Sequence, residues 1–208
     1  YGARYAGALG NSLKVSVCGG ANPYAQASVT TTNGTTALAG TSIEVTLGEK
    51  FIVGDIITAI ASDTTRYKIS AITFDSGATG AATITIAQED DSTQGLTAAV
   101  SSGVALSREW EFARQFNGAP GTSAYAAGRA SAGVTDELHV VVLDEDGEIS
   151  GTPGTILEKY EDLSKASDAR DEFGASNYYV TVIENQSEWI YWLDHSSTMG
   201  SAGSAAAG

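Results

Sequence analysis

The chain has 208 residues, enough for one or two domains and for a core that needs no covalent stapling. Its one cysteine, Cys18, rules out an intrachain disulfide framework. Net charge is −14, from 25 acidic against 11 basic side chains, and the basic residues are scattered, which argues against direct nucleic-acid recognition because a phosphate backbone requires a clustered positive surface.

No stretch approaches the roughly 20 consecutive apolar residues of a membrane helix, and the opening YGARYAGALG lacks the layout of a signal peptide, so a soluble chain without membrane insertion is expected. Charged residues are sparse at 17%, glycines number 24 and prolines 3, a balance that predicts β-structure with many tight turns.

The first predicted element is a half-buried strand over Leu13–Cys18, where Leu13, Val15 and Val17 alternate with Lys14, Ser16 and Cys18. Gly10-Asn11-Ser12 precedes it as a turn and Gly19-Gly20 closes it. Cys18 reads as a small packed side chain, since no histidine or basic cluster adjoins it to lower its pKa. From Tyr24 to Ser107 the composition shifts to Thr, Ala, Gly and Ile. Alternating runs continue at Ile43, Val45 and Leu47, at Ile56–Ile60, at Tyr67, Ile69 and Ala71, and at Ile84 and Ile86. Such spacing suits a small antiparallel barrel or sandwich. Residues 24–107 are read as an insertion at a surface loop, where doubling a loop's length costs only about 0.6 kcal/mol. Ser107–Phe116 is ambiguous between helix and strand and is read as a strand returning into the core, ended by Gly118-Ala119-Pro120-Gly121.

Leu138–Leu143 is apolar on both alternating faces, the pattern of a buried central strand. Asp146-Gly147 predicts a tight reversal after it. Polar-leaning LEKYEDLS gives the returning strand. Ser176 is expected to cap a short helix with Tyr179, Val182 and Ile183 on one face, weakened by β-branched residues. Glu188–Leu193, carrying Trp189, Ile190, Tyr191 and Trp192, reads as a buried strand, and 196–208 as a flexible Gly/Ala/Ser tail.

Candidate chemistry is thin. Asp144, Glu145 and Asp146 suggest calcium, but in an EF-hand register Val142 takes the first ligand position, so a solvated turn is the better reading. Gln88–Asp91 likewise reads as an exposed turn. Ser123 in GTSAY lacks the second glycine of the nucleophile elbow. His139 falls in the buried strand and His195 beside the tail, and strand geometry gives Ser123 no reason to meet His139 with Asp144 or Asp146. Asn33-Gly34-Thr35 and Asn185-Gln186-Ser187 match the glycosylation pattern, which has no meaning without a secretory route. No catalytic residue, metal or cofactor is expected.

Three segments occur in an order that carries a resemblance: the opening YGARYAGALGNSLKVSVC, the middle NGAPGTSAYA, and the run from the buried strand through GTPGT, LEKYEDLS and SNYY to the last aromatic segment. Together they resemble the tail sheath protein of contractile-tailed bacteriophages, the T-even-type myoviruses and their cyanobacterial-phage relatives, over Tyr1 to about Pro23 and about Glu109 to His195. The resemblance implies a structural subunit of the virion that is not an enzyme. Such subunits stack as six-membered rings in a helical array around the tail tube and contract to drive it through the host envelope. The implied partners are neighbouring sheath subunits, the tail tube protein, and the baseplate and tail terminator proteins. No contact residues carry over, and both ends read as cut. The expected fold class is α+β: a mixed-sheet core with short flanking helices over 1–23 and 108–195, an inserted β-rich domain over 24–107, and the segment 196–208. A virion decoration or host-attachment module is the alternative, on the strength of the Thr-rich insertion.

Overall fold

A computed structural model of the chain describes residues 1–60, 64–129 and 135–194. His195 and the expected tail at 196–208 lie outside the described residues. In chain order the strands are β1 (Gly2–Ala3), β2 (Leu13–Cys18), β3 (Ala25–Thr31), β4 (Ser42–Val45), β5 (Ile56–Ile60), β6 (Tyr67–Phe74), β7 (Ala82–Gln88), β8 (Ala105–Glu109), β9 (Glu137–Asp144), β10 (Thr155–Ser164) and β11 (Ile190–Tyr191). The helices are α1 (Ala8–Asn11), α2 (Ala21–Tyr24), α3 (Ala124–Ala127) and α4 (Tyr179–Gln186). The fold is α+β with antiparallel sheets. It divides into two compact units, one made of Tyr1–Ala21 and the chain from Gly118 onward, the other of Asn22–Asn117.

In the first unit β9 lies between β10 and β2, antiparallel to both. The sequence explains its central place: with no polar face to offer water, Leu138–Asp144 is buried throughout. Val142 faces Val15 across one ladder and Val140 faces Tyr160 across the other. Leu138, Val140 and Val142 join Leu163, Tyr179, Val182, Ile183 and Ile190 in one apolar cluster. Each such aliphatic side chain contributes roughly 1.5–3 kcal/mol on full burial. That packing holds α4 in place despite its β-branched residues. Ser176 does not cap α4: the cap position is Tyr178, without a side-chain hydrogen bond, and the Ser176 hydroxyl instead accepts from Tyr178 N.

Two further expectations change here. The reversal after β9 is the segment 145–154 rather than a tight Asp-Gly turn, although Gly147 does adopt φ 82°. The expected strand Glu188–Leu193 shrinks to Ile190–Tyr191, because its partner β1 offers two residues and the Glu188 amide is taken by the Glu158 carboxylate at 2.6 Å. Ile190 is buried, Trp189 half-buried and Tyr191 exposed.

The second unit is one six-stranded antiparallel sheet, in the order β3-β8-β5-β6-β7-β4. Its two outer strands meet: a bridge joins Thr32 to Val45, Asn33 N donates to Glu44 O at 2.8 Å and Thr46 N to Thr31 O at 3.0 Å. The sheet therefore closes into a barrel. Ile43, Val45, Ile57, Tyr67, Ile69, Ile84, Ile86 and Leu106 fill its interior. A bulge between Ile69 and Ala71 shifts the alternation of β6, so Ile72 and Phe74, not Ala71, pack next against this cluster.

Ser107–Phe116 does not return into the core of the first unit. Strand β8 pairs with β3 and β5, and the 3₁₀ turn Ala113–Gln115 that follows also belongs to the barrel unit. Polar partners fix it there: Arg108 donates to Lys50 O at 2.7 Å and Pro23 O at 3.2 Å, while Trp110 stacks on Phe116 at 5.4 Å. Chain entry and exit run side by side, with Ala25 opposite Glu109 and Trp110 N donating to Tyr24 O at 2.8 Å.

Candidate functional site

The described residues place the chemically able side chains of the first unit in three buried clusters, each pinning a loop to an end of β9 or β10. Asp144 is the last residue of β9. Its carboxylate accepts from the Ser12 hydroxyl, from Gly147 N at 3.1 Å, Ile149 N at 3.0 Å and Ser150 N at 2.7 Å, and from the Ser150 hydroxyl at 2.8 Å. Burial by itself would raise its pKa; the hydrogen bonds from Ser12 and Ser150 outweigh that and hold it well below the usual carboxylate range. Its donors come from Ser12 and from the segment after β9, so this carboxylate organises the 145–154 loop. Glu145 pairs with Lys14 at 3.2 Å, and Asp146 is exposed.

Asp136, wholly buried just before β9, anchors the second cluster. It accepts from Ser123 N at 2.8 Å, the Ser123 hydroxyl at 2.7 Å and the Ser164 hydroxyl. The Ser123 oxygen in turn accepts from Ala126 N at 3.1 Å, capping α3. Beside it Lys165 is buried, its Nζ donating to Gly19 O at 2.9 Å and Thr135 O at 3.1 Å. Burial lowers the lysine pKa, partly offset by the Asp136 charge.

His139 is the third. Asp162 N donates to its Nδ1 at 3.1 Å, so Nδ1 is the acceptor and Nε2–H donates to Gly118 O at 2.9 Å. Asp162 reaches this position from the β10 bulge with φ 53°. Ser123, His139 and Asp144 thus belong to three separate hydrogen-bonding sets and form no triad. No group of three metal-ligating side chains occurs among the described residues, and no helix there is long and apolar enough to cross a membrane. Cys18 is fully buried with its thiol 3.5 Å from Gly20 O.

No family model, curated protein or solved structure matches the chain. The site is therefore read from its chemistry alone, and that chemistry is architectural: buried carboxylates saturated by protein donors fix loops at both ends of the central strand. The barrel carries a further buried carboxylate that the sequence did not announce, and this one is only partly satisfied. Asp55, 1% exposed, accepts from Ile52 N at 2.9 Å through Oδ2, which also lies 3.5 Å from Arg108 Nε, while Oδ1 has no hydrogen-bond partner. Burial pushes its carboxyl up to about 6 against the opposing pull of Ile52 N and Arg108. Nearby, Arg66 bridges Glu89 and Glu109, and Glu111 pairs with Lys68 at 2.9 Å.

The remaining candidates find places in the scaffold. Asp91 closes its own turn by accepting from Thr93 N at 2.9 Å. The Asn33 amide donor supports barrel closure, and Ser187 of the second glycosylation pattern is buried, its hydroxyl donating to Glu158 at 2.6 Å.

Proposed function

We propose that the chain is part of a contractile tail sheath subunit, a structural component that polymerises around a phage tail tube and drives it through the host envelope on contraction. One observation carries this reading: three sheath-like segments occur in the family's order, and although 96 residues of barrel unit interrupt them, they lie almost wholly within one compact unit. A structural role is also supported by the buried polar clusters, which saturate their own hydrogen bonds and hold strand ends rigid. Rigidity matters to a helical array, since slack at one interface is repeated at every other. Two packings of one subunit, separated by a barrier, then suffice for contraction without a nucleotide. In this reading the partners are neighbouring copies, the tail tube, the baseplate and the tail terminator, and the protein resides in the virion tail after assembly in the host cytoplasm.

A decoration or attachment module is the second reading, favoured by the closed Thr-rich barrel. Antibodies raised against the barrel separate the two on whole particles. Labelling along the tail in helical repeat is the sheath result; labelling confined to the capsid or to fibre tips overturns it.

A further inference from the structure

The barrel carries a pocket of about 420 Å³ between the 34–37 loop and strands β4 and β7, where Gly34, Thr35, Thr36, Ser42, Glu44 and Thr83 line it. The alternation of β4 makes one wall: Ile43 and Val45 are buried inside the barrel, so Ser42 and Glu44 face outward and are exposed. Thr83 of β7 stands opposite Glu44 in the ladder. Hydrogen bonds fix the loop against this wall. Asn33 N donates to Glu44 O at 2.8 Å, Thr36 and Val100 exchange two backbone bonds of 2.8 Å, and the Thr36 hydroxyl donates to Ser42 O at 3.2 Å. The volume falls within the roughly 300–1,000 Å³ of small-molecule sites, and walls that are already ordered take little entropy from a ligand.

The chemistry of the lining selects the ligand. Four of the lining residues carry hydroxyls, Glu44 carries a carboxylate, and no basic or aromatic side chain is among them. An anion would therefore meet Glu44 with no counter-charge. Calcium takes about six to eight oxygen ligands, several of them carboxylates, and no group of three metal-ligating side chains occurs among the described residues. An apolar ligand would displace water without replacing its hydrogen bonds. A neutral sugar does replace them, since its hydroxyls donate to a carboxylate and exchange bonds in both directions with Ser and Thr. The Glu44 carboxylate is available for this, making no hydrogen bond or ion pair within the described residues. Gly34 leaves it room: a Cβ there would lie 2.8 Å from Glu44 Oε2.

We propose that this pocket binds a neutral hexopyranose unit of a saccharide, two of whose vicinal hydroxyls donate to the Glu44 carboxylate while Thr35, Ser42 and Thr83 complete its hydrogen bonds. With no aromatic ring in the lining to stack on a sugar face, each site binds weakly, in the millimolar range. The inference goes beyond the sheath reading and does not rest on it, because a saccharide site on the barrel suits a sheath subunit and an attachment module alike.

The test titrates the isotope-labelled full chain with the methyl glycosides of D-glucose, D-galactose and D-mannose, which between them offer trans and cis vicinal hydroxyls, and follows the amide NMR signals. The expected result is a saturable shift with at least one of the three, centred on 34–37, 42–44 and 83. Glu44→Gln keeps the side chain's shape but not its charge and should weaken binding roughly tenfold, the worth of one charge-assisted hydrogen bond. Gly34→Ala should weaken it as well by pushing the carboxylate aside. The backbone there has no positive φ and the new methyl meets only the flexible end of Glu44, so the fold is kept, and the unshifted amide signals verify this for both variants. N-acetylneuraminate, an anionic sugar, should bind more weakly than the neutral ligand. No saturable shift with any of the three glycosides, shifts centred elsewhere, an affinity that neither variant changes, or tighter binding of the anionic sugar overturns the proposal, and each leaves the sheath reading as it stands.

Discussion

Replacing Asp55 by asparagine should remove a pH dependence that the barrel's own burial creates. In the folded barrel the Asp55 carboxyl is raised to about 6 from 3.8, first by burial and further by the Glu111 charge, against Ile52 N and Arg108. Between those two values the folded state holds a proton that the unfolded chain has released, so stability falls as pH rises through this window and levels off above about 6. A shift of this size corresponds to about 3 kcal/mol. An asparagine side chain has no proton to lose, so the stability of the Asp55→Asn variant relative to wild type should improve by up to about 3 kcal/mol between pH 4 and pH 7. Groups common to both proteins cancel in that comparison. Denaturant unfolding at a series of pH values measures it, with Trp189 and Trp192 changed to Phe so that Trp110 alone reports on the barrel. A gap independent of pH, or one that moves in favour of wild type as pH rises, would mean that the ion pair with Arg108 outweighs burial and would refute the reasoning.

Asp144→Asn should destabilise the first unit at neutral pH, since the bonds to Ser12 and the 145–154 loop favour the ionised form; the depressed pKa makes that contribution complete above pH ~4 and progressively lost below it. Asp146→Asn, at an exposed side chain, should change the melting temperature little, and a calcium-dependent rise that this substitution abolishes would reverse the reading of the turn. Val140→Ala, at a position with no exposure, should cost about 1–3 kcal/mol in chemical unfolding. Replacing 22–117 by a short Gly/Ser link should leave the first unit with a single cooperative thermal transition, and a molten product would show that the barrel is needed to fold it.

Strand β9 was legible because both alternating faces of Leu138–Leu143 are apolar but for His139, and β2 because one face alone is apolar. The α+β class followed from those periods. Less legible were elements whose limits are set by partners. Glu188–Leu193 carries enough aromatic residues for a full strand, yet β1 offers two residues to pair with. Ser107–Phe116 reads as a core strand by composition, but Arg108 and Trp110 find their partners inside the barrel. Asp146-Gly147 has the dipeptide of a tight turn; the carboxylate of Asp144, gathering amides as far as Ser150, imposes a longer loop. The Asp136 cluster gathers residues 123, 136 and 164, a separation that no periodicity reveals.

The pairing of β3 with β8 has a consequence for how this protein changes over generations. A chain that leaves and re-enters through two hydrogen-bonded neighbours presents the rest of the molecule with ends about 5 Å apart, the spacing of adjacent strands. Any domain whose termini meet that spacing fits the same doorway without retuning β9 or its flanking loops. The barrel position is thus an exchange point, where recombination can swap the inserted domain while the sheet around β9 is inherited unchanged.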